Sequence, residues 1–284
     1  MRTVVYLVDN GSLRPEATLA LRKLARAVGE RSGQEVRPVS LLHAHKVDPA
    51  ELGGRPATIV RRSLKTDLAA GVGRVLFLPL FLGPSRAITE YLPELIEEAR
   101  GLRPDFEATT ADPLAGSDPD RPDGRLAEIL AAQVRAAAEA QGMERPKVAL
   151  VDHGSPVEVV TRVRNAVAAQ LRERLGASVE GVVACSMERR DGPDYAFNEP
   201  LLERVHEVEG FAGGDLLAAM FFLLPGRHAG PGGDVASILE NLAGAGGYRK
   251  LGMTGLLGEH PLLVELLADR LRAAHGGEPE ALGA

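Results

Sequence analysis

Two stretches of this chain read alike, Val4-Val5-Tyr6-Leu7-Val8-Asp9-Asn10-Gly11-Ser12 and Val148-Ala149-Leu150-Val151-Asp152-His153-Gly154-Ser155. Each is a short apolar run followed by an aspartate and a Gly-Ser turn, and the two turns lie 143 residues apart. A second pair follows in the same order, because residues 78–87 resemble residues 219–228 at a spacing of 141. Two matched anchors in the same order indicate that the chain is an internal duplication.

The order of elements within each copy predicts a parallel β-sheet. The apolar runs are short, rich in β-branched residues and bounded by glycine, which is typical of strands buried on both faces. Amphipathic helical patterns alternate with these runs, so right-handed βαβ crossovers are expected. We therefore predict an α/β protein made of two tandem, similar parallel-sheet βαβ domains. The predicted strands are 4–8, 75–81, 148–151, 182–187 and 216–224, and the predicted helices include 17–28 and 157–175.

The duplication places the expected domain boundary near the middle of the 284-residue chain. A chain of this length is sufficient for two domains of ordinary size. We predict an N-terminal repeat over residues 1–143 and a C-terminal repeat over residues 144–284, joined by a connection at 141–146.

The composition excludes several classes of protein. A net charge of −6 leaves no basic excess to bind phosphates, so no nucleic-acid partner is expected. The one cysteine, Cys185, excludes an intrachain disulfide and a multi-cysteine metal site, and its place in a strand favours a packing role. The apolar run at 216–224 is about half a membrane span, and we see no secretory signal. We expect a cytoplasmic protein with no membrane partner.

Three polar residues of the second copy, His153, Glu188 and His228, each follow a predicted apolar strand. In open α/β sheets, ligands bind outside the carboxyl ends of the strands, so these side chains could converge on one cleft. Two imidazoles and a carboxylate can hold a first-row divalent metal and leave coordination positions open. A neutral imidazole can also accept a proton near physiological pH.

Each of these residues also has a plain structural interpretation. His153 could cap its turn, and Glu188 lies in the charge run 187–191, which is typical of a solvated face. Gly154 most simply relieves backbone strain in the turn, and Ser155 most simply caps the following helix.

Other polar residues are weaker candidates. Asp152 could cap the turn or hydrogen-bond His153. In the first copy, His43 and His45 end a strand at a level similar to Glu188, which would suit an accessory metal or substrate contact.

Together these features resemble the sirohydrochlorin chelatases, cobaltochelatases or ferrochelatases within the class II tetrapyrrole chelatases. The likeness rests on the strand that ends in His153-Gly154-Ser155, the strand before Glu188, the turn Leu224-Pro225-Gly226-Arg227-His228 and the segment 255–263. It covers nearly the whole chain, since the long form of that family is itself two tandem copies. The resemblance implies insertion of a divalent metal, cobalt or iron, into a sirohydrochlorin-type tetrapyrrole.

The resemblance also implies roles for individual residues. His153 and His228 would be metal ligand and proton acceptor, with Glu188 in support as a third ligand or a proton relay. The metal (Co²⁺, Fe²⁺ or Ni²⁺) would be a substrate, and no organic cofactor is expected. Four arginines are expected to pair with carboxylates of the tetrapyrrole, with surface solubility as the alternative role: Arg86, Arg189, Arg190 and Arg227.

The first copy departs from the family pattern at two positions. Asn10 stands at the position of His153, and Ala87 stands at the position of His228. Neither residue can accept a pyrrole proton or bind a metal as imidazole does. We therefore expect the N-terminal repeat to be catalytically silent and the C-terminal repeat to carry the site.

Two alternatives remain open from the sequence. The first is a non-catalytic, degenerate protein that binds a metal or a tetrapyrrole without turnover. The second is a phosphate- or nucleotide-binding α/β enzyme that uses the turns 10–12 and 153–155 as anion sites at helix N-termini. No glycine-rich nucleotide motif accompanies those turns. Either a monomer or a homodimer is compatible with the internal duplication.

Overall fold

The computed structural model describes residues 2–230 and 232–276, so the predicted end of the C-terminal repeat at 284 lies outside the described residues. These residues form two four-stranded parallel β-sheets with flanking helices, which confirms the predicted α/β class. The elements are β1 (Arg2–Asp9), α1 (Pro15–Ser32), β2 (Val36–Ser40), α2 (Val60–Ala69), β3 (Val72–Pro79), α3 (Leu92–Leu102), β4 (Glu107–Thr110), α4 (Gly124–Ala140), β5 (Lys147–Asp152), α5 (Glu158–Leu175), β6 (Gly181–Ser186), β7 (Gly214–Met220), α6 (Asp234–Ala245), β8 (Tyr248–Met253) and α7 (Pro261–Ala274).

The first sheet has the strand order β2-β1-β3-β4, and all its neighbouring strands are parallel. Its central strand β1 is buried from Val4 to Asp9, as the run of β-branched and aliphatic residues predicts. Alternate residues of β1 share a face, and Val4, Tyr6 and Val8 pack with apolar residues of α2 and α3 in one core.

The second sheet repeats this arrangement as β6-β5-β7-β8, again parallel throughout. All six residues of β5 are buried. Ala149 and Val151 of β5 pack in one core with Cys185 of β6 and Val235 of α6. Burial raises the pKa of the Cys185 thiol, in keeping with the packing role predicted for it.

Backbone hydrogen bonds beyond the strands also repeat between the copies. Leu80 N donates to Val8 O at 2.7 Å, and Phe221 N donates to Val151 O at 2.9 Å. Ser40 N donates to Thr58 O at 3.2 Å, and Ser186 N donates to Pro200 O at 3.1 Å. The duplication read from sequence is therefore also a duplication of the hydrogen-bonding pattern, and it aligns the copies residue by residue.

The compact units of the structure divide the chain differently from the predicted repeats. One unit holds the chain up to Ser117 together with the residues from Val264 onward, and the other is Asp118–Leu263. Helix α4 belongs to the second unit because it packs against α5 and β7. Most of α7 belongs to the first unit, where Glu265 pairs with Arg31 at 2.6 Å. The repeat boundary predicted at 143/144 thus differs from the unit boundary at 117/118.

The strand before His228 is shorter than the apolar run predicts. β7 ends at Met220, and residues 221–224 continue as a loop rather than as strand. Those residues are apolar because they remain partly buried, with Phe221 still bonded to the end of β5. The strands β4 and β8 were not identified from the sequence.

Among the residues that the structure describes, no helix is both long enough and apolar enough to span a membrane.

Candidate functional site

The turn that carries His153 depends on a glycine. Gly154 has a φ of +91°, and a side chain there would place its Cβ 1.9 Å from Glu188 O. Only a residue without Cβ fits both the backbone angle and this close approach, as the sequence predicts for Gly154. The Glu188 amide in turn donates to His153 O at 3.3 Å. Glu188, two residues beyond β6, is thereby fixed beside the end of β5.

The structure brings His153 and His228 together. Their ring centroids are 4.6 Å apart and the ring planes meet at 69°. The two residues come from different loops of the second unit, after β5 and between β7 and α6. The His153 side chain is 48% exposed and that of His228 is 31% exposed, so both rings can be reached from solvent.

Asp234, the first residue of α6, orients the His228 ring. Its Oδ2 lies 2.6 Å from His228 Nδ1, and a carboxylate at this distance accepts a hydrogen bond from the ring. With the ring proton on Nδ1, Nε2 would keep a lone pair that can bind a metal. Carboxylate partners of this kind are usual behind histidines that bind metals.

The His153 ring has a similar arrangement of partners. Its Nδ1 donates to Gly154 O at 3.1 Å, and its Nε2 lies 3.4 Å from Glu188 Oε1. A proton taken up by Nε2 would be stabilised by this carboxylate, which is 60% exposed and can pass the proton to water.

These residues do not form a ready three-ligand metal cluster. Within residues 2–230 and 232–276, no group of three or more His, Cys, Asp or Glu side chains is close enough to hold a metal ion. Glu188 contacts His153, while Asp234 contacts His228 through the other ring nitrogen. The metal-ligand role of His153, His228 and Glu188 stays a prediction.

The four predicted arginines have different surroundings. Arg227 is 78% exposed, with Nε 3.6 Å from Asp234 Oδ2. Arg189 is engaged, because its Nε donates to Glu199 at 2.7 Å and its Nη1 donates to two carbonyls. Arg190 lies over the Tyr195 ring at 5.8 Å. Arg86 belongs to the first unit, where it pairs with Glu90 at 3.5 Å.

In the first copy, the position that matches Glu188 is Leu42 rather than a histidine. The Leu42 amide donates to Asn10 O at 3.0 Å, as the Glu188 amide does to His153 O. A Cβ on Gly11 would lie 1.9 Å from Leu42 O, again as in the second copy. His43 and His45 come after β2 has ended, in or beside a short 3-10 helix, and burial lowers the pKa of His45.

The amides of the second turn are already bonded within the protein. Gly154 N donates to Asp152 Oδ1 at 3.1 Å, and Ser155 N donates to Asn198 Oδ1 at 3.0 Å. Ser155 Oγ accepts a hydrogen bond from Val157 N, before α5 begins. Ser155 therefore closes the turn, and the prediction that it caps the helix is wrong. This pattern argues against the anion-binding alternative at residues 153–155, since an anion would need those donors.

Sequence reasoning missed the acidic and polar residues that support the histidines. Asp234 comes six residues after His228 and carried no motif signal. Arg164 is fully buried in α5, and its sequence signal was an arginine on the apolar face of a helical pattern. Asn198 is fully buried in a 3-10 helix at Pro193–Asn198, in a segment of ordinary composition.

Solved structures similar to this chain include three chelatase-like proteins. SirB from Bacillus subtilis with Fe³⁺ matches at a TM-score of 0.68 and 14% identity, over 96% of each chain. The sirohydrochlorin chelatase SirB from Bacillus subtilis subspecies spizizenii in complex with cobalt matches at 0.64 and 14% identity, over 96% of this chain and 95% of that chain. DR2241 from Deinococcus radiodurans, a multi-domain protein with structural similarity to chelatases, matches at 0.57 and 19% identity, over 99% of this chain and 56% of that chain. At these identities the likeness shows a shared fold.

A comparison with protein families gives a match in sequence. No curated protein matches the chain. The model of the CbiX family matches residues 4–137, a stretch that includes Asn10 and Ala87 and ends before His153. Over this stretch, a little under half of the chain, the sequence is similar to the CbiX family.

Proposed function

We propose that this protein inserts a divalent metal ion into a sirohydrochlorin-type tetrapyrrole. The observation that carries the proposal is the facing pair of imidazoles, His153 and His228, held 4.6 Å apart at the carboxyl end of the second sheet. The chelatase-like fold, the CbiX family match and the sequence resemblance to sirohydrochlorin chelatases support it.

The chemistry of metal insertion suits these two rings. Two pyrrole N–H protons must leave the macrocycle while the metal exchanges water for pyrrole nitrogens. Both rings direct Nδ1 to an oxygen acceptor, which leaves Nε2 as the reacting nitrogen, with Glu188 3.4 Å from that of His153. One can hold the incoming metal while the other accepts a proton.

The carboxylates complete the proposed proton path. A proton on His153 Nε2 would face Glu188 at 3.4 Å, which stabilises the imidazolium and leads outward to water. Asp234 would keep His228 in one tautomer throughout. Arg227 lies beside this site, exposed enough to pair with a substrate carboxylate.

In this proposal the metal is a substrate, and several metals are compatible with the site. Imidazole and carboxylate ligands suit Co²⁺, Fe²⁺ and Ni²⁺, so the residues alone do not select one. SirB structures hold Fe³⁺ and cobalt, and we propose cobalt or iron as the metal for this chain.

The test is an anaerobic absorbance assay of sirohydrochlorin with Co²⁺, Fe²⁺ or Ni²⁺. We expect the protein to accelerate insertion, and His153→Ala or His228→Ala to lower the rate by on the order of 10²–10⁴-fold, as removal of a general base does. His206→Ala is the matched control, because His206 lies in the same unit on a 3-10 helix at Leu202–Glu207. Full activity in both site variants would contradict the proposal.

A second candidate is a protein that binds metal or tetrapyrrole without turnover. It is favoured by the lack of a three-residue metal group among the described residues and by the loss of both histidines from the first copy. The same assay separates the two candidates. A shift in the pigment spectrum without faster insertion would establish the binding role, and faster insertion would exclude it.

A further inference from the structure

A buried polar network lies directly under the turn that carries His153. Arg164 of α5 is 1% exposed, and its Nη1 donates to Ser186 Oγ, to Asp152 Oδ1 at 3.4 Å and to Asn198 O at 3.3 Å. Its Nε and Nη2 both donate to Asn165 Oδ1, at 3.0 and 2.9 Å. An arginine is buried this deeply only when its charge and donors are matched, and here one side chain joins α5, β5, β6 and the 3-10 helix.

This network holds both residues that follow His153. Asp152 Oδ1 accepts a hydrogen bond from Gly154 N at 3.1 Å. Asn198 bonds Ser155 twice, accepting from its amide at 3.0 Å and donating to its carbonyl at 2.9 Å. His153 lies between Asp152 and Gly154, so the backbone is fixed on each side of it. Its own side chain contacts Gly154 O and Glu188, outside this network.

The first copy forms the same turn without the network. The spacing of 143 residues places Leu21 at the position of Arg164. Thr58 and Pro200 occupy matching positions, because their carbonyls accept hydrogen bonds from the matching serines Ser40 and Ser186. Pro56 therefore stands at the position of Asn198, each lying two residues earlier. A cavity of about 470 Å³ lies here, lined by residues that include Leu21, Ser40 and Pro56. Gly11 nevertheless keeps a φ of +88°. The turn therefore does not need the network in order to form.

We propose that Arg164, acting with Asp152 and Asn198, is a positioning residue that fixes the His153 imidazole against His228. The copy with a histidine has the network, and the copy with Asn10 has a leucine, a proline and a cavity in its place. A reacting imidazole must be held to a fraction of an ångström, whereas an exposed asparagine need not be. The catalytic meaning of this placement rests on the proposed function. The placement itself can be tested without it.

The first experiment reads the histidine rings directly. Imidazole ¹H–¹⁵N NMR spectra are compared for the wild-type protein and Arg164→Met, with the His153 and His228 signals assigned from His153→Ala and His228→Ala. We expect Arg164→Met to shift or broaden the His153 and His228 signals and to leave those of His206 and His260 in place. Unchanged His153 and His228 signals in a folded Arg164→Met variant would overturn the proposal.

The matched control removes another arginine of the same unit. Arg249 pairs with buried Asp215 at 2.7 Å, near the start of β7 and so at the amino end of the sheet. Arg249→Met should destabilise the unit without moving the His153 and His228 signals. If both variants moved those signals alike, Arg164 would have a general structural role only, and the proposal would fail.

The second experiment is a double-mutant cycle on metal insertion. Alone, Arg164→Met should lower kcat by about 10- to 100-fold with little change in KM, because Arg164 is buried and touches no substrate. In a His153→Ala background it should cause no further loss, since it acts through that ring. An independent further loss would contradict the proposal. If the wild-type protein does not insert metal, the proposed function fails, and the NMR comparison still decides the positioning role.

A milder variant covers the case in which Arg164→Met does not fold. Ser186→Ala removes one hydroxyl, which donates to Asp152 Oδ1 at 2.8 Å and accepts from Arg164. For Ser186→Ala we expect a smaller shift of the His153 signal and a smaller fall in kcat than for Arg164→Met. For Arg164→Lys we expect both effects to lie between those of the wild-type protein and Arg164→Met. A folded Ser186→Ala variant with wild-type His153 signals and kcat would count against the network.

Discussion

The turns at residues 10–12 and 153–155 follow equivalent strands, and their glycines have φ values of +88° and +91°. In each, the residue before the glycine accepts a hydrogen bond from the chain beyond the neighbouring strand. The side chains around these turns differ. His153 faces a second imidazole, and buried polar residues hold its turn. Asn10 is exposed, and the residues at the matching positions, Leu21, Ser40 and Pro56, line a cavity of about 470 Å³.

This comparison separates what the fold requires from what the chemistry requires. The strand and the glycine are present in both copies, because the parallel ladder and the left-handed turn depend on them. His153, His228 and Arg164 belong to the second copy, and Asn10, Ala87 and Leu21 stand at their positions in the first. In the first copy, Leu21 stands at the position of Arg164, beside the matching aspartate Asp9. Asp9 Oδ1 is buried without a hydrogen-bond partner among the described residues.

The largest expected effect comes from converting the second turn into the first. His153→Asn with His228→Ala reproduces Asn10 and Ala87 in the second copy. We expect metal insertion to fall by on the order of 10²–10⁴-fold, since both ring nitrogens are lost. Stopped-flow absorbance with sirohydrochlorin and Co²⁺ measures the rate.

The reciprocal exchange sharpens the same point. Asn10→His with Ala87→His gives the first copy both imidazoles but leaves Leu21 beneath the turn. We expect no gain in rate when this exchange is combined with His153→Asn and His228→Ala. Recovered activity would show that the histidines suffice without a buried arginine.

The second prediction concerns Asp152, the aspartate of the second copy. Asp152→Asn removes the negative charge beside Arg164 and leaves a buried guanidinium without its counter-charge. Breaking a buried pair by removing one partner costs about 3–5 kcal/mol of unfolding free energy. Urea unfolding at pH 7 measures the change. A loss below 1 kcal/mol would mean that the buried arginine does not depend on this carboxylate.

The fold and the candidate site differ in how much of each the sequence could predict. Apolar runs and glycine turns predict β1 and β5, because burial on both faces leaves a composition visible in one segment. The pairing of His153 with His228 followed from a rule about strand ends together with the duplication. Arg164 and Asp234 could not be predicted so simply, since their roles depend on which distant atoms the fold brings near them.

The boundary between the compact units differs from the predicted repeat boundary for a related reason. Periodicity shows that α4 has an apolar face, yet it does not show which sheet covers that face. In the structure α4 packs against α5 and β7, so the helix joins the unit that follows it. Apolar residues at 221–224 extended the predicted strand because a partly buried loop has the same composition as a strand end.

The third prediction applies the same substitution to the first copy and expects the opposite sign. Burial raises the pKa of Asp9 to about 6 from 3.8, despite hydrogen bonds from Ser40 and Gly11 that favour the carboxylate. The folded state therefore holds the proton more tightly than the unfolded state. The stabilisation from Asp9 is full below about pH 4 and is lost as the pH rises through about 6.

Asp9→Asn should accordingly raise the unfolding free energy by about 3 kcal/mol at pH 7, because the buried charge is removed. It should also flatten the fall in stability between pH 4 and pH 6. Urea unfolding across this range measures both effects. Destabilisation at pH 7 would show that the contacts of Asp9 with Ser40 and Gly11 outweigh the cost of burying its charge.

The smallest effect is expected at the arginines beside the two matched positions, Arg227 next to His228 and Arg86 next to Ala87. Arg227 is 78% exposed, so a contact with a substrate carboxylate there is worth about 1 kcal/mol and is weakened by salt. Arg227→Glu should raise the KM for the tetrapyrrole roughly threefold to tenfold at low ionic strength and leave kcat nearly unchanged. Arg86→Glu is the matched control. A larger rise for Arg227→Glu would assign substrate binding to the copy that carries the histidines, whereas an unchanged KM would remove Arg227 from the site.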